Sequence, residues 1–104
     1  MDAVIDLERL PWQELATGAR AKICVRGMQR IRLVEFVEGF EEPDWCTAAH
    51  AGRVLEGACT LLTRMGEQRL RAGDVIAIEA GDESAHRAVL GPGERVLLLL
   101  FESV

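Results

Sequence analysis

No stretch of the chain repeats apolar residues at every third and fourth position long enough to predict an amphipathic helix. The apolar residues come in short blocks cut by Gly27, Gly39, Gly52, Gly57, Gly66, Gly73, Gly81, Gly91 and Gly93. Such punctuation predicts an all-β sandwich or barrel. The clearest strands are 31–36, 53–55, 58–63, 74–78, 85–90 and 95–101, with alternation visible in Val75-Ile76-Ala77-Ile78 and Gln68-Arg69-Leu70-Arg71. Turn chemistry fills the gaps. Segments 64–68 and 71–74 each hold a glycine, for which a positive φ costs little, and Gly91-Pro92-Gly93-Glu94 is the strongest turn signal.

The first 22 residues follow a different pattern. Asp6-Leu7-Glu8-Arg9-Leu10-Pro11-Trp12 reads as a short helical turn or an arm, and Pro11 rules out a long helix. The expected organisation is therefore an N-terminal arm, residues 1–22, packed on one barrel, residues 23–104. Nothing repeats, and there is no low-complexity tract or linker. With 104 residues the chain is long enough for one domain and too short for two.

Charge narrows the partners. The net charge is −5 and no run of Lys or Arg occurs, so neither a nucleic-acid backbone nor an anionic membrane surface is expected as a partner. The longest apolar run, 96–101, is far short of the roughly 20 residues that cross a bilayer and reads as a strand buried on both faces. Three cysteines, Cys24, Cys46 and Cys59, form no paired spacing, and charged residues occupy the first ten positions where a secretion signal would be apolar. A reducing, cytoplasmic setting is expected, with each cysteine a small hydrophobe or a ligand.

Chemistry concentrates in Asp44-Trp45-Cys46-Thr47-Ala48-Ala49-His50, which sets an acid, a thiol and an imidazole within seven residues. On a strand, residues two apart share a face, so Asp44, Cys46 and His50 would all point inward unless a bulge falls after Thr47. The bland readings are that Asp44 caps the turn after Pro43 and that Cys46 packs as a small apolar residue. Cys24 and Cys59 are read as strand or core residues. An outward Trp45 would need cover from the arm or from a second subunit.

The glycine skeleton resembles that of a small single-domain cupin, a double-stranded β-helix or jelly-roll barrel, over roughly two-thirds of the chain. Val54-Leu55-Glu56-Gly57 resembles the end of the first cupin motif, G-x5-H-x-H-x3/4-E-x6-G. Residues 71–81, RAGDVIAIEAG, resemble the start of the second, G-x5-P-x-G-x2-H-x3-N, with Glu79 where proline is usual. Counted back from Gly57, the family's glutamate position holds His50. With a three-residue spacer its two histidine positions hold Asp44 and Cys46; the four-residue spacer would select Pro43 and Trp45, which cannot ligate through their side chains. Gly39 lies one residue too near Asp44 for the pattern. The second-motif histidine corresponds to His86, five residues past Gly81 where the family has three, so the loop 82–85 would absorb two more residues.

The resemblance implies a metal site of Asp44, Cys46, His50 and His86, and these donor types suit zinc or iron better than hard cations. With all four bound, a closed zinc site is expected; without Cys46, the rest make a two-His-one-carboxylate set with open positions. Two functions follow: a metal-dependent enzyme on a small organic molecule, such as a dioxygenase, isomerase or lyase, or a non-catalytic small-molecule-binding or sensor domain. No general base can be assigned among Glu35, Glu56, Glu79 and Glu102, and the chain has no tyrosine. A homodimer is expected, both from the family and because a strand apolar on both faces needs cover.

Overall fold

The structure is a computed structural model that describes residues 2–104. After a 3-10 turn at Leu7–Arg9 come β1 (Gln13–Ala16), β2 (Ala19–Arg26), β3 (Gln29–Val37), β4 (His50–Thr63), β5 (Gly66–Arg71) and β6 (Val75–Ile78). A second 3-10 turn at Asp82–Ser84 leads to β7 (His86–Val89) and β8 (Arg95–Ser103). All pairings are antiparallel and run in the order β1-β2-β3-β8-β4-β5, with β6 and β7 also on β4. No helix among the described residues is long and apolar enough to cross a membrane.

The fourteen residues of β4 make this sheet curl into a barrel. The first half of β4 lies between β8 and β6; the second half lies between β5 and β7. The changeover falls at a bulge between Val54 and Glu56, followed by Gly57 at φ +75°. A side chain at Gly57 would meet the Arg95 carbonyl oxygen at 1.8 Å, so only glycine allows β4 and β8 to stay paired through the bend. The strands expected at 53–55 and 58–63 are therefore one strand. Gly57 bends it without ending it.

Rows of side chains cross the inner wall. Phe36 pairs with Val96 and Val96 with Gly57; Val34 with Leu98 and Leu98 with Val54; Arg32 with Leu100 and Leu100 with Gly52. Val34, Val54, Val96 and Leu98 are buried and meet Cys59, Leu61 and Leu70 from the opposite wall. Alternation along β8 continues inward past the apolar run, so Glu102 is buried on the same face as Val96, Leu98 and Leu100.

The boundary expected between residues 22 and 23 falls inside β2. Residues 19–26 read ARAKICVR, with Ala19, Ala21 and Ile23 at alternate positions on the core, and they pair with β3 along their whole length. Only residues 2–12 lie outside the sheet at this end. They run over the outward cations of β2: Lys22 Nζ donates to the Leu7 carbonyl (2.9 Å), Arg26 to the carbonyls of Asp2 and Val4, and the Trp12 ring lies 4.1 Å from the Arg20 guanidinium.

Candidate metal centre

Three expected site residues converge. Cys46, His50 and His86 each place one ligand atom within 4.8 Å of the other two, and each comes from a different element. His50 opens β4 and His86 opens β7. Cys46 lies in the irregular segment between β3 and β4, where it makes an isolated bridge to His86. That bridge has both backbone hydrogen bonds, Cys46 N–H to the His86 carbonyl (2.8 Å) and His86 N–H to the Cys46 carbonyl (3.0 Å). Directly opposed residues of such a pair project to one face, so the thiol and the imidazole are brought together by backbone pairing alone.

Asp44 is not brought to the group. It is exposed, in a bend after Pro43, because the segment has no strand geometry between its bridges at Glu41 and Cys46. The two-residue alternation that would have aimed Asp44 inward does not reach it. Trp45 is exposed and partly flanked by two guanidinium groups, that of Arg64 4.3 Å from its ring and that of Arg87 5.7 Å. The 3-10 turn Asp82–Ser84 takes up the two extra residues before His86.

Each imidazole meets an acceptor on its Nδ1 side. His86 Nδ1 lies 3.1 Å from the Ser84 carbonyl oxygen, which fixes the proton on Nδ1 and leaves the Nε2 lone pair free. His50 Nε2 is 3.3 Å from Cys46 Sγ, while its Nδ1 lies 2.5 Å from Glu102 Oε2. That carboxylate sits off the ring N–H direction, so Nδ1 has a close contact with it and no well-aligned hydrogen bond. The two rings meet edge to face, centroids 5.0 Å apart.

Glu102 was not expected here. One more step of the β4–β8 register beyond Ala51–Phe101 sets it opposite His50, and Arg30 faces it from β3. Arg32 grips it with Nε–Oε1 at 2.6 Å and Nη2–Oε2 at 2.9 Å, and Arg30 Nε adds 3.2 Å. Burial alone would raise the Glu102 carboxyl. The close approach of His50, the hydrogen bonds from Arg32 and the charges behind them outweigh burial and hold it at about 2.

The group opens onto a cavity of about 420 Å3 between the two walls. Most of its lining is apolar, including Val34, Phe36, Leu61, Leu70 and Leu98; the polar members are Arg32, Glu42, Cys46, His50, Cys59 and His86. Burial pushes the Cys59 thiol up to about 11, so it stays protonated. Glu35, the other buried glutamate, faces outward between Arg20 and Arg95.

The donor set fits a borderline transition ion. A thiolate and two imidazoles are zinc-type ligands and are not those of calcium or magnesium. Two ligands of one tetrahedral zinc lie roughly 3.5 Å apart given bonds of about 2.3 and 2.0–2.1 Å, close to the 3.3 Å between Cys46 Sγ and His50 Nε2.

No family profile and no curated protein sequence matches the chain. Solved structures do. The polyketide cyclase RemF from Streptomyces resistomycificus superposes with a TM-score of 0.86 at 17% identity, over 99% of this chain and 80% of that one. A sugar phosphate isomerase of the cupin superfamily from Silicibacter pomeroyi gives 0.80 at 19%, over 97% and 75%. KdgF from Halomonas sp. gives 0.79 at 20%, over 100% and 96%. At these identities the likeness establishes the fold: the chain has the all-β cupin-type barrel fold.

Proposed function

We propose that this cupin holds one zinc-class ion on Cys46, His50 and His86 and acts on a neutral, largely apolar carbonyl compound bound in the cavity. The observation that carries the reading is the meeting of two imidazoles and a thiol at the end of an apolar chamber. Three protein ligands are the complement of a catalytic zinc site, which keeps a position for water or substrate; a structural site has four. This set is neither the closed four-ligand site nor the two-His-one-carboxylate set expected from sequence, because Cys46 is in and Asp44 is out. When bound, the ion would supply Lewis acidity toward a substrate oxygen.

The protein's own groups orient the site. The Ser84 carbonyl holds the His86 ring, and Glu102, itself clamped by Arg32, stands against the His50 ring. The apolar walls exclude water around the rest of the bound molecule. The cationic side chains near the site, Arg30 and Arg32, are committed to Glu102, so a phosphate or carboxylate group would find no counter-charge there. A compound of the polyketide type, named for one fold neighbour, suits this chamber better than the sugar phosphate named for another.

The test is elemental analysis of protein purified without added metal or a histidine tag. About one zinc per chain is expected, lost in His50→Ala and His86→Ala and kept in Asp44→Ala. Iron in place of zinc would redirect the chemistry toward dioxygen. A wild type without metal, which also takes up none on dialysis against zinc, would overturn the reading. Stoichiometric zinc with no small molecule turned over would leave a non-catalytic binding domain.

A further inference from the structure

Glu42 lines the cavity, and no function has been given to it. It sits in the irregular segment ahead of Cys46, held by its backbone N–H to the Ala88 carbonyl (3.0 Å) and by Ala88 N–H to its Oε1 (2.9 Å). Its Oε2 has no partner among the described residues. The neighbouring cation does not neutralise it: Arg87 donates to the Glu42 backbone carbonyl (2.8 Å) and pairs with the carboxylate of Glu41 (3.1 Å). Other carboxylates near the barrel are engaged, Glu102 by Arg30 and Arg32, Glu35 by Arg20 and Arg95, Glu94 by Arg69. Cys59 remains a neutral thiol. On the cavity wall, Glu42 is thus a carboxylate with a free oxygen and no ion pair among the described residues, its neighbour Arg87 being bonded to the Glu42 backbone and to Glu41.

Its position relative to the metal ligands is set by pairing. Glu42 is bonded to Ala88, and Cys46 to His86, two residues earlier on the same strand. Two residues of strand span roughly 6.6 Å. A molecule with its carbonyl oxygen at the Cys46–His50–His86 end therefore presents the carbons next to that carbonyl toward Glu42.

We infer that Glu42 is the general base of this site and that the reaction class is proton abstraction α to a carbonyl; the inference rests on the metal-site reading above for the placement of the carbonyl oxygen. The α C–H bond breaks, its proton passes to Glu42 Oε2, and its electron pair moves onto the carbonyl oxygen to give an enolate. Return of the proton to the same carbon gives exchange; its return to a different atom of the conjugated system gives isomerisation. No oxidant or second substrate is needed. The hydrogen bond from Ala88 keeps one carboxylate oxygen in place while the other works, as a positioned base requires.

The probe is 2-tetralone, a neutral apolar ketone with acidic α-hydrogens. Its binding to zinc-loaded and to metal-free protein is followed by tryptophan fluorescence, and its deuteration in D2O by proton NMR. Zinc-loaded wild type is expected to accelerate deuteration over buffer. Glu42→Gln, which keeps an acceptor for Ala88 N–H, is expected to slow it by about 10²–10⁴-fold while binding of the ketone and of zinc stays within about threefold; Glu41→Gln is expected to match wild type. Glu42→Asp withdraws the carboxylate and is expected to fall between, which serves if the Gln variant folds poorly. Exchange undiminished in Glu42→Gln or Glu42→Asp, or a wild type that binds zinc and ketone without exchanging, would overturn the inference. A wild type that binds ketone but no zinc would strike the metal reading instead, and a protein that binds no ketone would strike the ligand class.

Discussion

Glu102→Gln is the substitution that best separates stability from metal affinity. The native carboxylate is 3% exposed at its side chain, against 20% for Arg32 and 40% for Arg30. Breaking a fully buried ion pair by removing one partner costs about 3–5 kcal/mol. Both arginines here retain some water, so the figure for Glu102→Ala is placed lower, at about 2–3 kcal/mol. The amide of Glu102→Gln keeps the volume and one acceptor oxygen, which reduces the stability loss to about 1–2 kcal/mol. The effect on metal is separate. Without the carboxylate against its Nδ1 side, the His50 ring is less firmly aimed and the site less well balanced in charge, and loss of a group behind a ligand costs about 10–100-fold in affinity, about 1.4–2.7 kcal/mol. Urea unfolding of the metal-free protein reads the first quantity and zinc competition against a chromophoric chelator reads the second. Glu35→Gln is the control: its carboxylate is equally buried between two arginines but on the outer face, so it should lose stability and keep zinc affinity. Zinc affinity within twofold of wild type in Glu102→Gln, or an equal drop in Glu35→Gln, would refute the reasoning.

Glu35 also sets a pH dependence. Burial raises its carboxyl, but the hydrogen bonds and charges of Arg20 and Arg95 lower it by more, so its folded value lies below the unfolded one. Its stabilisation is therefore complete above about pH 4.5 and is lost as pH falls through the folded value; urea midpoints from pH 7 down to pH 3 should drop less in Glu35→Gln than in wild type. Gly57→Ala and Gly52→Ala should each cost more than about 3 kcal/mol by thermal unfolding, since the added carbon would stand 1.8 Å from the Arg95 carbonyl oxygen or 1.9 Å from that of Leu99. We propose self-association through the outer face, where the row Phe101–Ala51–Ala77 crosses β8, β4 and β6 beside exposed Val75; sedimentation should give a dimer, and Phe101→Asp a monomer. Cys46→Asp, read by metal competition, should retain binding but shift preference from zinc and cadmium toward iron(II) and manganese(II), as a carboxylate replaces a thiolate.

Much of this fold was legible because most of the glycines fall in turns, Gly52 and Gly57 inside β4 being the exceptions, and β7 and β8 lie where their apolar blocks predicted. Cys46, His50 and His86 were found through spacing to Gly57 and Gly81. Asp44 failed for a local reason: alternation was extended through a segment that contains Pro43 and makes only isolated bridges. Strand β2 carries a weaker signal: Ala19, Ala21 and Ile23 alternate with Arg20 and Lys22, but the run Ile23-Cys24-Val25 breaks the period. Glu102 had a usable signal: it continues the i, i+2 series of Val96, Leu98 and Leu100, so it had to face inward with them. Glu42 had none. Nothing in its local sequence separates it from Glu41, and only the pairing of its backbone with Ala88 turns one of the two toward the cavity.

That contrast bears on why a cupin barrel can carry an altered ligand set. The positions of Cys46 and His86 are fixed by two backbone hydrogen bonds, and that of His50 by the pairing of β4 with β6 and β8; none depends on which side chain is present. Backbone pairing costs nothing when a donor atom changes, so a thiol can stand where another donor would, and the cavity keeps its shape. The parts that are not interchangeable are the acceptors behind the imidazoles. The Ser84 carbonyl comes from a 3-10 turn, and Glu102 from a strand position flanked by Arg30 and His50 on either side. Without Glu102, Arg30 and Arg32 would stand behind the His50 ring with no carboxylate to offset them, a poor surrounding for a metal dication. The Arg30–Arg32–Glu102 cluster therefore sets the position and the charge balance behind the His50 ring, and the ligands and their supporting charges have to be read as one unit.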